Sequence, residues 1–279
     1  MAAPPLAEVS LVRRSLPISQ KDREILDQVV QFAAPKEKHG LIVNEGYRFF
    51  CLGETDSGKT TLMRAVLYHT LAEGFANWAV VHDSKGVFPE YPRSLQFATV
   101  QHFRTRGFRD GDVPIASFRG APRHGLEVEA EEVGALAKEI AQKGTTLPDG
   151  RWTVNPGILE VEELAAAASD GRKKVAAPSV LWGLEQGRKV GLSTVGTTQM
   201  PGNLPLPMYA QATAIAIFRL TGADANYLEN KQFDPRLVDA VRGQNNVGLP
   251  NWHFAIYVKG RPWDEKIHCL DERTARMFE

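Results

Sequence analysis

Gly53-Glu-Thr-Asp-Ser-Gly58-Lys59-Thr60 satisfies the pattern G-x-x-x-x-G-K-S/T at every fixed position. The residue types follow from what such a loop must do. Glycine lets the backbone curl so that successive N–H groups point inward at one anion. A helix starting at the end of the loop adds the positive end of its dipole. A lysine ammonium then reaches the terminal phosphates, and the next hydroxyl offers an oxygen to magnesium. A chance match in a chain of this composition is on the order of 1%. The flanks supply the required context, because Tyr47–Leu52 is a compact apolar strand and a helix follows from about Thr60.

Outward from this loop the chain alternates strand-like and helix-like stretches, the pattern of a parallel sheet with crossover helices. Trp78–His82, Val113–Phe118, Gly157–Val161, Leu192–Thr198 and Ala212–Leu220 are predicted strands, and Glu127–Gln142 is a predicted helix. His253–Lys259 and Lys266–Leu270 flank Gly260-Arg-Pro-Trp and predict a closing hairpin. Before the loop, residues 1–18 are a proline-rich arm, and Ser19–Phe32 is an amphipathic helix ended by Pro35. The Arg93–Asp112 stretch is expected to be an irregular excursion. The expected fold class is α/β: a RecA-like P-loop NTPase core with a mostly parallel sheet, helices on both faces and a C-terminal β-hairpin. The expected organisation is an arm and helix over 1–46 and an ATPase domain over 47–279.

Composition narrows the partners. Among 279 residues, Lys plus Arg and Asp plus Glu both total 33, so no basic surface covers the whole molecule and nucleic-acid contact must come from local clusters. Cys51 and Cys269 form no CxxC pattern, and the seven histidines show no zinc-site spacing. The start lacks a signal-peptide design, and no stretch approaches the roughly 20 apolar residues of a membrane span. A cytoplasmic protein without a transmembrane segment is expected.

Two further stretches carry chemistry. Pro156-Gly-Ile-Leu-Glu-Val-Glu162-Glu163-Leu is a buried strand ending in adjacent carboxylates. In a Walker B arrangement the first, Glu162, holds magnesium, and the second, Glu163, polarises the water that attacks the γ-phosphate. The competing reading makes Glu160, Glu162 and Glu163 the start of a solvated helix face. Gly187-Arg188-Lys189 leads into a strand of small and β-branched residues that ends at Gln199-Met-Pro201. There a side-chain amide can sense the γ-phosphate, or can simply face water in a loop.

Together with Val80-Val-His-Asp83-Ser-Lys85-Gly86, these elements resemble the HerA–FtsK superfamily of DNA-pumping ATPases, over about Phe49 to Leu220. The resemblance implies that Gly53, Glu54, Thr55, Asp56, Ser57, Gly58, Lys59, Thr60 and Thr61 bind ATP, and that Thr60 and Glu162 hold Mg2+. It also implies catalytic roles for Lys59, Glu163, the sensor Gln199 and Arg188, a finger reaching a neighbour's nucleotide. Both Arg188 and Gln199 are expected near the nucleotide edge of the sheet. Glu162 departs from the aspartate usual in the family. The absence of membrane helices and of room for a β-barrel before the motor leaves the compact genome-packaging ATPases of membrane-containing icosahedral DNA viruses as the expected likeness. That implies a homo-oligomeric ring, hexameric or pentameric, pumping double-stranded DNA without sequence specificity. It also implies docking to capsid or membrane vertex proteins and association with the virion.

Alternatives stay open on sequence alone: a HerA-like helicase or transfer motor, a P-loop small-molecule kinase, and a subunit that uses ATP only to assemble. A guanine-nucleotide switch is excluded, since Asn230-Lys231-Gln232-Phe233 puts phenylalanine where guanine needs a carboxylate. Candidate DNA contacts are Arg104–Arg109, interleaved with Phe103 and Phe108, and Arg172-Lys173-Lys174. Either cluster can equally be an ordinary solvated loop.

Overall fold

The computed structural model describes residues 18–34, 36–38, 41–43, 45–84, 95–109, 112–119, 126–146, 152–165, 177–204, 206–242, 249–272 and 274. Its strands are β1 (Lys36–Lys38), β2 (Leu41–Val43), β3 (Arg48–Leu52), β4 (Trp78–Asp83), β5 (Leu95–Phe97), β6 (Ile115–Arg119), β7 (Thr145–Thr146), β8 (Trp152–Thr153), β9 (Gly157–Val161), β10 (Leu192–Thr198), β11 (Ala214–Ile217), β12 (His253–Val258) and β13 (Ile267–Cys269). The helices are α1 (Gln20–Val30), α2 (Lys59–Ala72), α3 (Val100–Arg106), α4 (Leu126–Lys143), α5 (Pro178–Glu185), α6 (Leu206–Gln211), α7 (Gly222–Asn230) and α8 (Pro235–Val241).

Nine strands form one sheet in the order β13-β12-β11-β3-β10-β9-β4-β6-β5. From β11 to β5 all neighbours are parallel, and β12 and β13 add an antiparallel edge. Alternate residues of each central strand enter opposite cores, as a two-residue period requires. Phe49 and Cys51 of β3 face α1 and α2, whereas Phe50 and Leu52 face α4 to α8. Helices therefore cover both faces, and the carboxyl ends of β3, β9, β10 and β11 share one edge.

Every residue of α2 except Thr60 is buried. A helix with no solvent face needs a second cover beyond the sheet. That cover is α1, whose Ile25, Leu26, Val29 and Val30 are buried and contribute about 1.5–3 kcal/mol each. Ser19 caps α1, accepting from the Asp22 N–H at 3.1 Å. The Asp22 carboxylate accepts from the Asp271 N–H at 3.1 Å and from the Thr274 hydroxyl, so the two ends of the described chain are tied together. α1 thus packs as part of the core, while residues 1–17 of the expected arm lie outside the described residues.

The Arg93–Asp112 expectation is corrected, since β5 and α3 are regular elements. Thr99 caps α3, and Phe97, Phe103, Phe108 and Phe118 interlock with ring centroids 5.0–5.9 Å apart. The aromatics are core anchors that drive this segment onto the sheet.

His82, on β4, is fully buried; among the described residues neither ring nitrogen has a hydrogen-bond partner, and the Glu129 carboxylate stands 3.8 Å from Nε2. Burial pushes its pKa from 6.5 down to about 4. Protons therefore favour the unfolded chain between those values. The stability tied to neutral His82 is complete above the unfolded value and is lost as pH falls through the folded one. The gap corresponds to roughly 3 kcal/mol. Urea unfolding of the His82→Gln protein should show a shallower stability loss between about pH 7 and about pH 5 than the parent. Identical slopes would mean His82 is not held neutral.

Candidate active site

The loop between β3 and α2 is held by backbone hydrogen bonds on three sides. The Gly53 N–H donates to the Thr198 carbonyl (3.3 Å), the Glu54 N–H to the Arg219 carbonyl (3.0 Å) and the Trp252 N–H to the Ser57 carbonyl (3.0 Å). Glycine is required at both ends. Gly53 has φ 154° and Gly58 φ 103°, and a Cβ at Gly53 would stand 2.6 Å from the Cβ of Phe218. Inside the loop the Ser57 hydroxyl donates to the Glu54 carbonyl at 2.8 Å, and the Lys59 ammonium donates to the same oxygen. The Arg219 guanidinium bonds the Glu54 carboxylate at 2.8 Å.

Over this loop opens a cleft of about 450 Å³. Residues 55–61 form its floor, Glu163, Thr197 and Gln199 the wall toward β9 and β10, and Asn251 and Trp252 the wall toward β12. The first wall is built as a relay. The Thr55 hydroxyl donates to the Gln199 carbonyl oxygen at 2.8 Å, and the Gln199 amide donates to Glu163 Oε1 at 2.7 Å. Both ends of one amide are thus used, and the loop, the strand-end glutamine and the carboxylate are locked in one geometry. The Glu163 N–H donates to the Thr197 hydroxyl at 3.4 Å, and its φ of 51° is left-handed. Asp56 (φ 58°) and Trp252 (φ 71°) share that conformation. Among the described residues, three of the five non-glycine residues with positive φ therefore line this cleft, and backbone strain of about 1–3 kcal/mol per residue clusters at functional sites.

The loop fits an anion, because its two obligate glycines keep side chains out of the cradle and α2 starts at its end. Thr60 lines the cleft as the one α2 residue that is not buried, so its hydroxyl could hold a magnesium ion, which would neutralise phosphate charge. Glu162 is not among the residues lining the cleft. It is buried beside Arg64, with a guanidinium nitrogen 3.9 Å from its carboxylate. Arg64 follows Thr60 by one turn on the same face of α2, which brings Glu162 under the loop.

Two sequence expectations are displaced. Arg188 precedes β10 and Gln199 follows it, so the seven-residue strand separates them by about 20 Å. Arg188 lies at the amino edge of the sheet, opposite its own cleft, where its guanidinium bonds Glu45. The Arg104–Arg109 cluster is no open basic tip: Arg104 pairs with Glu139 at 3.2 Å, Arg106 with Asp112 at 2.9 Å, and Phe103 is fully buried. Arg172, Lys173 and Lys174, like Lys85 and Gly86, lie outside the described residues. Sequence reasoning missed Arg219 and Trp252. The signals were a charge near the end of the apolar stretch 212–220 and an aromatic in the Pro-Asn-Trp turn before β12.

No protein-family model matches the chain, and no curated protein matches it. Solved structures do. The genome packaging NTPase B204 from Sulfolobus turreted icosahedral virus 2, in complex with AMPPCP, superposes with a TM-score of 0.59 at 16% identity, covering 82% of this chain and 98% of that one. VirB4 of Thermoanaerobacter pseudethanolicus gives 0.57 at 10% identity, over 86% and 96% of the two chains. The bacterial conjugative coupling protein TrwB gives 0.55 at 11%, over 88% and 91%. The chain shares the fold of these three structures. Among the described residues, no helix is long and apolar enough to cross a membrane.

The relay predicts a separable defect. Gln199→Ala removes both amide bonds and leaves the loop backbone intact. Turnover of a nucleoside triphosphate should fall by on the order of 10²–10³-fold, as for loss of one positioned donor, with KM changed by less than about threefold. A selective rise in KM would instead make Gln199 a ground-state binding residue.

Proposed function

We propose that this chain is an ATP-hydrolysing motor that translocates double-stranded DNA, and that its work is packaging a viral genome into a preformed capsid. The observation that carries the hydrolase reading is the Thr55–Gln199–Glu163 relay. A carboxylate held beside the phosphate loop by a strand-end amide is placed to orient and polarise a water molecule toward the γ-phosphate. Lys59 and Thr60 manage the phosphates and magnesium, and Glu162 supplies charge beneath the metal. A small-molecule kinase delivers the phosphoryl group to a bound acceptor and has no use for that water-orienting pair. The DNA reading is supported by the HerA–FtsK resemblance in the motifs together with the fold. Neighbours in fold are named for genome packaging and for conjugative coupling, so transfer or repair translocation is the second reading.

Lys59→Ala should lose productive nucleotide binding. Glu163→Gln should keep binding while phosphate release falls by roughly 10²–10⁴-fold. Duplex DNA of any sequence should accelerate phosphate release by the parent. Undiminished hydrolysis by the Glu163→Gln protein would sink the catalytic assignment, and indifference to DNA would sink the motor.

Arg188, exposed at the edge away from its own cleft, can serve catalysis only in a neighbour's site, in a closed ring of identical subunits. An arginine supplied across an interface contributes on the order of 10³–10⁵ in rate. Arg188→Ala and Lys59→Ala proteins should each be nearly inactive, and mixing them should restore part of the activity. Full activity of Arg188→Ala alone would remove the finger.

A further inference from the structure

The relay fixes the direction in which a triphosphate lies. Its reacting end belongs at Glu163 and Gln199, on the side of β9 and β10. The rest of the molecule must then extend along the cleft toward β12. Asn251 and Trp252 stand there. Phosphate recognition has no use for an indole, yet Trp252 is the one aromatic side chain among the cleft-lining residues described.

Trp252 is also unusually constrained for a surface turn. A bulky residue at φ 71° is uncommon. It is pinned from both sides, its N–H donating to the Ser57 carbonyl and its carbonyl accepting from the Leu270 N–H at 3.3 Å. The ring edge seats on Gly58, where an added Cβ would come 3.0 Å from Trp252 Cε3. Gly58 therefore serves a second purpose besides curling the loop, because it lets the indole approach the start of α2. Half-buried and packed against the α2-side core, the indole is a rigid platform. Beside it, Asn251 is exposed, and its side-chain amide has no partner among the described residues.

We propose that Trp252 and Asn251 form the nucleoside end of the site, the indole stacking on the nucleobase and the Asn251 amide hydrogen-bonding the nucleoside. Stacking rewards the larger π-face and reads no hydrogen-bonding edge, so the platform selects purine over pyrimidine nucleotides. This rests on the cleft being the nucleotide site.

Binding of two probes to the full-length protein with magnesium separates the ideas: ATP, and inorganic tripolyphosphate, which fills the loop but carries no base. Trp252→Ala should weaken ATP binding by roughly tenfold or more and leave tripolyphosphate within about twofold. Trp252→Phe should recover most of the loss, and the parent's preference for ATP over UTP should collapse in Trp252→Ala. Asn251→Ala, an exposed change that does not threaten folding, should weaken ATP by about threefold without touching tripolyphosphate. Equal loss of both probes in Trp252→Ala would reduce the indole to a prop for the loop and overturn the platform. Unchanged ATP binding in both variants would place the base elsewhere. If the parent binds neither probe, the nucleotide reading itself falls and the platform with it.

Discussion

Burial of the helix behind the phosphate loop is the constraint on which the other parts depend. Helix α2 offers solvent only Thr60, its second residue, whose hydroxyl lines the cleft. Keeping thirteen of fourteen helical residues out of water demands the sheet on one side and a partner on the other. That partner is α1, fastened by apolar packing and by the bond of 2.7 Å between His69 and Asp27. The reward is rigidity where it counts. Amides that must point at an anion sit on a helix start unable to tilt, and electrostatic stabilisation of a transition state works through groups that need no reorganisation.

The same burial explains the charge beneath the loop. Glu160, Glu162 and Asp83 project from β9 and β4 toward the α2 side of the sheet, and Arg64 reaches them from α2. A mid-strand glutamate in a central parallel strand breaks the usual apolar pattern. Burial, reinforced by the neighbouring Glu162 carboxylate, holds the Glu160 carboxyl well above the usual carboxylate range. Its charged form is therefore disfavoured where it lies between Val81 and Val195 of the flanking strands. Arg64 stands 3.9 Å from Glu162 and brings a positive charge to these buried carboxylates, a compensation that deep burial makes necessary.

What could be read from the chain without coordinates divides along physical lines. The strands Gly157–Val161 and Leu192–Thr198 were legible to the residue, because turn residues bound each and β-branched residues fill the second. The loop was legible because its glycines are sterically obligatory. Helices α5 to α8 were not, since each is short and its packing, not its periodicity, decides it. Arg104 and Arg106 read as a free basic cluster because their partners, Glu139 and Asp112, lie 35 and 6 residues away, and a linear pattern does not pair charges at such separations. The expected place of Arg188, beside Gln199 at the nucleotide edge, failed for a different reason. Proximity to a strand says nothing about which end of the sheet a residue occupies, and here the preceding turn belongs to the opposite edge.

The antiparallel edge contributes more than closure of the sheet. Reversing direction brings the first residue of β12 back to the carboxyl edge of the parallel strands, the only end at which a loop before β12 can meet the phosphate loop. From there a continuous path runs outward. Ser57 accepts from Trp252, Trp252 accepts from Leu270, and Asp271 donates to Asp22 on α1. Asp22 lies on the helix that covers α2, so the path returns to the element that carries Lys59 and Thr60. A displacement of the loop at Ser57 thus has two bonded routes to α2, one through the chain itself and one through the hairpin and α1. Packed interiors and bonded networks transmit such displacements because they have few intermediate arrangements.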